Sequence, residues 1–320
     1  MKCAICLNEN NNMPYKIREM MFGLRDSFDY FQCGNCQCIQ IKEIPENLSK
    51  YYPNDYYSFA NTDSKIKKLS FFKQLQYEYL SGNNKSILGA IASFKYKSLL
   101  YDWCNILELR DKNTKILDVG CGGGDLLKQL ENVGFTNLTG ADPFISEDIH
   151  YSENVNIYKK SVYELTETYD VIMLHHSLEH MDKQAEVIAK LYELLRKDGK
   201  LFIRIPIYSK PLFERYGVDL VNLDAPRHLF VHSIKSITYL LNNQGFKITN
   251  TTFDANVFDI IVSEQYKKDI TLFDKEKSYI TNIKNSMFTP KEHKVFRKQM
   301  EEYNRKGEGS AVALVIEKVR

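Results

Sequence analysis

Between Lys115 and Pro206 the chain alternates short apolar runs with segments whose apolar positions recur at helical spacing. The runs at Ile116–Val119, Leu138–Asp142, Ile157–Tyr158, Tyr169–Leu174 and Lys200–Pro206 read as strands, and Asp125 to Val133 and Lys183 to Arg196 as helices. The second helix is expected to end at Lys197-Asp198-Gly199, with Gly199 in the left-handed conformation that follows a helix. Strands alternating with helices of this length imply an α/β unit, a parallel sheet covered on both faces. Lys247–Asn250 reads as a sixth strand and Ala311–Ile316 as a late one closing the sheet, with the polar stretch 267–306 between them expected as a helical insertion.

Upstream the pattern changes. Tyr15–Arg18 and Phe28–Phe31 read as short strands inside a unit of residues 1–45 that is too small to bury a core alone. Residues 46–110 connect it to the α/β unit at 111–320. They open with a Tyr-rich cluster at Tyr51–Phe59 and continue as helix-like stretches, Ile66–Leu80 and Ile87–Leu109, that cover the next domain.

Composition adds limits. With 43 Lys+Arg against 41 Asp+Glu, the chain has no field that argues for nucleic acid or an anionic surface. No run of roughly 18 apolar residues spans a bilayer, and the first residues lack a secretory signal, so a cytoplasmic protein is expected. In that reducing setting Cys3-x2-Cys6 and Cys33-x2-Cys36 suggest a metal before disulfides. Four thiolates fill a tetrahedral zinc site and leave no position for water, so the zinc is expected to be structural, with Cys38 a spare or substitute ligand. The alternative is a set of unpaired cysteines in a small subdomain.

The candidate chemistry centres on Asp118-Val119-Gly120-Cys121-Gly122-Gly123-Gly124, where a strand turns tightly into a helix. An acid two residues before the first glycine would repel a pyrophosphate but suits the ammonium and sulfonium of S-adenosylmethionine (SAM). Asp142, followed by Pro143, lies at the spacing that lets a carboxylate accept both ribose hydroxyls. A nicotinamide site, or glycines placed for packing alone, are the rival readings.

These residues carry a resemblance. The acid followed by x-G-x-G-x-G at Asp118, Gly120, Gly122 and Gly124, with Asp142, resembles class I SAM-dependent methyltransferases over roughly residues 110–320. The resemblance implies a Rossmann-like sheet, adenine contacts near Ser161 and Val162, and a segment after the fourth strand, His175 and His176, near the methionine end of SAM. Leu195 to Gly199 stands where the family has Leu-x-x-Gly-Gly. Glu179 and His180 are placed to begin a helix, where a carboxylate suits the dipole. A metal pair at His176-x-x-x-His180 is an alternative.

Methyl transfer to a hydroxyl requires loss of a proton, and a neutral imidazole takes it near pH 7. His228, in the loop after the fifth strand, is the candidate base; the bland alternative is a histidine capping backbone. Pro226-Arg227-His228-Leu229 resembles a segment of methyltransferases from sugar and surface-polysaccharide biosynthesis, and sugar C-methyltransferases have Glu-His at this point. Arg227 in place of that Glu favours O-methylation, and is also a candidate partner for an acidic group on the substrate. Such enzymes have a four-cysteine zinc module and a Tyr-rich segment near the substrate, which fall on Cys3, Cys6, Cys33, Cys36 and on Tyr56 and Tyr57. The expected substrate is thus a small molecule, a sugar or nucleotide sugar. The competing readings are an RNA methyltransferase, disfavoured by balanced charge in residues 1–45, and a SAM-binding protein without turnover.

Overall fold

The longest buried apolar runs form the centre of the structure. In the computed structural model, which describes residues 1–53, 70–83, 86–94, 98–283 and 287–319, the middle strands of the larger sheet are mostly buried, apart from the exposed residues 196–198 near the start of the third. They are β4 (Ile116–Val119), β8 (Tyr169–His175), β9 (Leu195–Pro206) and β12 (Ala311–Lys318). Flanking them are β5 (Leu138–Ala141), β6 (Ile149–His150), β7 (Val155–Tyr158) and β11 (Phe246–Phe253). Among the described residues they form an eight-stranded sheet ordered β11-β12-β9-β8-β4-β5-β7-β6.

The fold is Rossmann-like, as expected, but the sheet is mixed. β12 runs antiparallel to both β9 and β11, and β6 antiparallel to β7. The reason is local: the chain returns to β12 through a tight turn after a helix rather than by a crossover over a sheet face, so it enters from the opposite end.

Helices α1 (Phe71–Leu80), α2 (Ile87–Ala92) and α3 (Leu99–Ile106) precede the sheet, two of them from the stretch expected as one helix. Tyr77 of α1 and Tyr101 and Cys104 of α3 share a buried cluster with Ile116, Leu127 and Leu130, so this region does cover the sheet. α4 (Asp125–Asn132), α5 (Gln184–Leu194), α6 (Lys210–Tyr216), α7 (Ile234–Asn243), α8 (Val257–Tyr266) and α9 (Pro290–Lys306) follow. No described helix is long and apolar enough to cross a membrane.

Two expectations change here. Gly199 does not end a helix in the left-handed region: α5 stops at Leu194 and Leu195 is already extended (φ −83°, ψ 135°). Residues 196–199 bulge out of β9, since Leu195 pairs with Tyr169 but Lys200 with Val171. Glycine is needed there for space, because a Cβ on Gly199 would lie 2.8 Å from the Asp170 carbonyl oxygen. Among the described residues of the 267–306 insertion, the α-helix lies in the second half, as α9. The insertion's first part runs in turns that hydrogen-bond to the N-terminal unit, Leu272 and Phe273 donating N–H to the carbonyls of Met20 and Met21.

That unit contains β1 (Met13–Arg18), β2 (Ser27–Gln32) and β3 (Ile39–Ile41). A fourth strand, β10 (Phe230–Val231), completes its sheet, in the order β1-β2-β3-β10. The cysteine-bearing unit is therefore joined edge to edge with the loop that carries His228.

Candidate active site

The glycine turn after β4 is a cradle without side chains. Gly120, Gly122 and Gly124 have φ of 73°, 51° and 73°, and a Cβ on Gly120 would sit 2.5 Å from Ser177 Cβ. Asp118 is buried on β4 and its Oδ1 has no hydrogen-bond partner among the described residues. Burial, and then the nearby Asp142, push its carboxyl up to about 8. A buried carboxylate in that state calls for a cation. Asp142 is oriented by backbone: Oδ2 accepts from Gly122 N at 2.9 Å and Oδ1 from Phe144 N at 2.8 Å. Each oxygen keeps a second lone pair for a hydroxyl. These residues fit SAM in their donor and acceptor chemistry, and a Cβ at Gly120 or Gly124 would collide with its neighbours.

Other residues expected at the cofactor show varied geometry. Ser161 commits both its hydroxyl and its N–H to Glu164 Oε2, capping the turn Val162–Glu164, which leaves Val162 to provide any adenine contact there. Cys121 Sγ turns under the loop towards Gly122 O, and Pro143 is exposed. His175 packs between Trp103 and Phe202, and burial, then Arg204 and His176, push its imidazole down to about 3. His175 is neutral at physiological pH.

The loop after β8 links the cradle to a second pocket. Ser177 touches the glycine turn and donates to Val119 O at 2.8 Å, while His176, Glu179 and His180 line a cavity of about 400 Å³ that His228 also lines. Its polar lining includes Arg204, Asn222, Asp224 and Asn256; Leu272, Phe273 and Ile280 of the insertion supply an apolar wall. His228 Nδ1 lies 2.7 Å from Asn222 O. A carbonyl only accepts, so Nδ1 carries the proton and Nε2 holds the lone pair. His180 is set the same way by Arg227 O, 2.9 Å from its Nδ1, and the two rings meet edge to face at 4.8 Å between centroids.

Arg227 does not face the cavity, contrary to its expected alternative role as a substrate partner. Its guanidinium is fully buried and donates to both oxygens of Asp224, to Glu19 and to Tyr51 O. It joins the N-terminal unit to the His228 loop. The histidine pair His176/His180 does not share a helix face either, because residues 178–180 form a single 3-10 turn. Instead, one oxygen of Glu179 and one nitrogen each of His180 and His228 lie within 4.8 Å of one another. Glu179 is thus a pocket residue, not a helix-dipole partner. Sequence offered little signal for it beyond its place beside three histidines. Tyr56 and Tyr57 lie outside the described residues.

The cysteine set is gathered. Cys3 Sγ is 3.6 Å from Cys36 Sγ and Cys6 Sγ 3.5 Å from Cys33 Sγ, with all four sulfurs within 4.8 Å. Zinc–sulfur bonds of about 2.3 Å place tetrahedral sulfurs about 3.8 Å apart, so the four fit a zinc ion. Asn8, Asn35 and Gln40 aim N–H donors at these sulfurs, as a thiolate site requires. Its hydrogen bond with Cys36 pulls the Cys3 thiol down to about 4 against the effect of burial. Cys38 stands outside the set and burial pushes its thiol well up.

With this geometry in view, comparison with known proteins identifies the central region. Residues 96–251 match the family described as a methyltransferase domain. They form a methyltransferase domain. Over 99 residues the chain is 37% identical to the ubiquinone biosynthesis O-methyltransferase of Nitrosococcus oceani, an alignment covering 28% of this chain and 42% of that enzyme. Over 141 residues it is 26% identical to the (S)-coclaurine N-methyltransferase of Thalictrum flavum subsp. glaucum, covering 38% and 39%. The chain therefore spans less than half the length of either curated relative. Among solved structures, the 1,6-didemethyltoxoflavin-N1-methyltransferase of Burkholderia thailandensis with S-adenosylhomocysteine aligns at TM-score 0.42 and 13% identity, covering 79% of this chain and 93% of that one.

Proposed function

We propose that the chain is a SAM-dependent methyltransferase that O-methylates a sugar, nucleotide-linked or part of a surface-glycan precursor, in the cytoplasm. When bound, SAM supplies a methyl group on a positively charged sulfur. Asp118 holds the ammonium end, Asp142 accepts the ribose hydroxyls, Val162 borders the adenine, and His175 and His176 wall the methionine side. His228 takes the acceptor proton on Nε2, and the rest of the chain's work is alignment and exclusion of water. Tyr56 and Tyr57 remain candidate substrate contacts, and Cys3, Cys6, Cys33 and Cys36 hold a structural zinc that braces the base-bearing loop.

The observation that carries this reading is the geometry of His228: its Nδ1 is committed to Asn222 O, which leaves the lone pair on Nε2, and the ring lines a cavity shared with His176, whose neighbour Ser177 touches the glycine turn. His228 and Asn256 at this cavity can meet an acceptor's hydroxyls, while Val221, Phe258 and Leu272 pack against its apolar faces. The test is incubation with isotope-labelled SAM and a panel of nucleotide sugars, with the methyl located by mass spectrometry. A methyl ether on a sugar oxygen is expected. A methyl on carbon or on RNA, with every sugar unmodified at oxygen, would refute the proposal.

A further inference from the structure

Glu179 is a buried charge for which methyl transfer as described gives no use. It is 0% exposed, no Lys or Arg pairs with it among the described residues, and its nearest polar neighbour is the neutral ring of His176, with Nδ1 3.3 Å from Oε1. The other acids around the pocket each accept hydrogen bonds. Glu19 accepts the N–H groups of Met21, Phe22 and Leu24 as well as Arg227. Asp224 takes two bonds from Arg227, Asp254 pairs with Arg204 at 2.5 Å, and Asp259 accepts from Asn222 and Ser310.

What surrounds Glu179 is imidazole, and most of it is tied in the neutral form. Arg204 donates to Nε2 of His176, so that ring's proton is on Nδ1, 3.3 Å from Glu179 Oε1. His232 is held between Gln184 and Ser236, and burial pushes it down to about 4. Burial and His228 lower His180, whose Nδ1 also lies 3.3 Å from the Tyr52 hydroxyl. His228 is the ring left to accept a charge: its Nε2 faces the cavity, 3.8 Å from an Asp224 oxygen that Arg227 already neutralises.

Resting on the methyl-transfer reading, we propose that Glu179 is a positioning residue whose negative charge, which no lysine or arginine neutralises, stabilises the imidazolium formed at His228, a nitrogen of which lies within 4.8 Å of it. As the acceptor oxygen bonds to the methyl carbon, its O–H bond breaks and the proton passes to His228 Nε2. The bond from that carbon to the donor sulfur breaks with its electron pair staying on sulfur. The pocket thus gains a positive charge beside a carboxylate held only by a neutral ring, without having to reorganise.

The test is Glu179→Gln, read first by the titration of the His228 ring in isotope-labelled resting protein, which needs no acceptor. An opposite charge within about 4–6 Å raises an imidazole by about 1–3 units, so the His228 midpoint is expected to fall by at least about one unit in the variant. The acidic limb of kcat/KM is expected to move down with it, with kcat reduced about ten-fold or more and SAM affinity unchanged within about two-fold. Glu179→Asp, which keeps the charge but draws it back, should shift the midpoint less and in the same direction, and serves if the Gln variant does not fold. An unmoved His228 midpoint in whichever variants fold overturns the proposal. So does added Mn²⁺ that broadens the His228 ring resonances in wild type but not in Glu179→Gln, since the carboxylate would then be a cation ligand. A shifted midpoint without any sugar product would sink the acceptor assignment alone.

Discussion

Replacing Arg227 by Met removes the one guanidinium that serves Asp224, Glu19 and Tyr51 O together, while keeping most of the buried volume. Four hydrogen bonds, at 2.6–3.2 Å, end on it. Glu19 retains three backbone donors, so the charge left bare is chiefly that of Asp224, whose side chain is 12% exposed. Breaking a buried ion pair from one side costs about 3–5 kcal/mol. Unfolding entropy of about 2.1 cal/mol/K per residue over 320 residues amounts to about 0.67 kcal/mol/K, so Tm should fall by about 4–8 °C. Differential scanning fluorimetry at pH 7 measures it. Burial alone would raise the Asp224 carboxyl, but the Arg227 charge and hydrogen bonds outweigh it and hold it low. A depressed carboxyl contributes stability that is complete above its unfolded value, about 3.9, and is lost as pH falls through the folded value. In the variant burial raises the same carboxyl, so the gap between wild type and variant should be largest near neutral pH and shrink as pH falls through the variant's raised value towards the wild type's depressed one. A Tm change under about 1 °C at pH 7 would refute the reasoning.

Three further outcomes follow from the geometry. His228→Asn should lower turnover about 10²–10⁴-fold with SAM affinity unchanged, and equal turnover in a methyl-release assay would remove it as the base. Cys36→Ser, or stripping zinc with a strong chelator, should lower both Tm and turnover, because Ser233 donates to Cys36 O and Tyr30 donates to His228 O; activity untouched by verified zinc loss would show that the module does not brace the site. His175 should not titrate between pH 5 and 8 by NMR. Its folded value of about 3 lies below the ordinary 6.5, so in that interval the unfolded chain binds the extra proton and stability falls as pH drops through it. A midpoint near 6.5 would contradict its packing against Trp103.

Sequence made the strand–helix alternation and the acid–glycine turn readable because both are local. Ile116, Leu117 and Val119 are apolar since β4 is buried on both faces, Asp118 stands out among them as the acid, and the glycines follow at fixed offsets. The reversal of β12 was not legible, since a strand's direction depends on how the chain returns to the sheet and its residues read alike either way. The long-range links were equally hidden. Arg227 meets Glu19 across 208 residues of sequence, and β10 meets β3. Nothing near either partner marks it, and a buried arginine beside a loop histidine reads as a substrate contact until its fourfold commitment is seen. Glu179 was misjudged for a related reason: in a helix's first turn an acid is exposed, whereas the single 3-10 turn after β8 points this one inward.

The claim beneath all of these is that the turn at Asp118–Gly124 with Asp142 binds SAM. Calorimetric titration of SAM into wild type, His228→Asn and Asp142→Ala tests it most directly. The account predicts saturable one-to-one binding to the first two with similar affinity, and binding weakened at least about ten-fold in the third, where the carboxylate lost would have met the ribose. SAM binding indifferent to Asp142→Ala, or binding of a nicotinamide dinucleotide in its place, would contradict it.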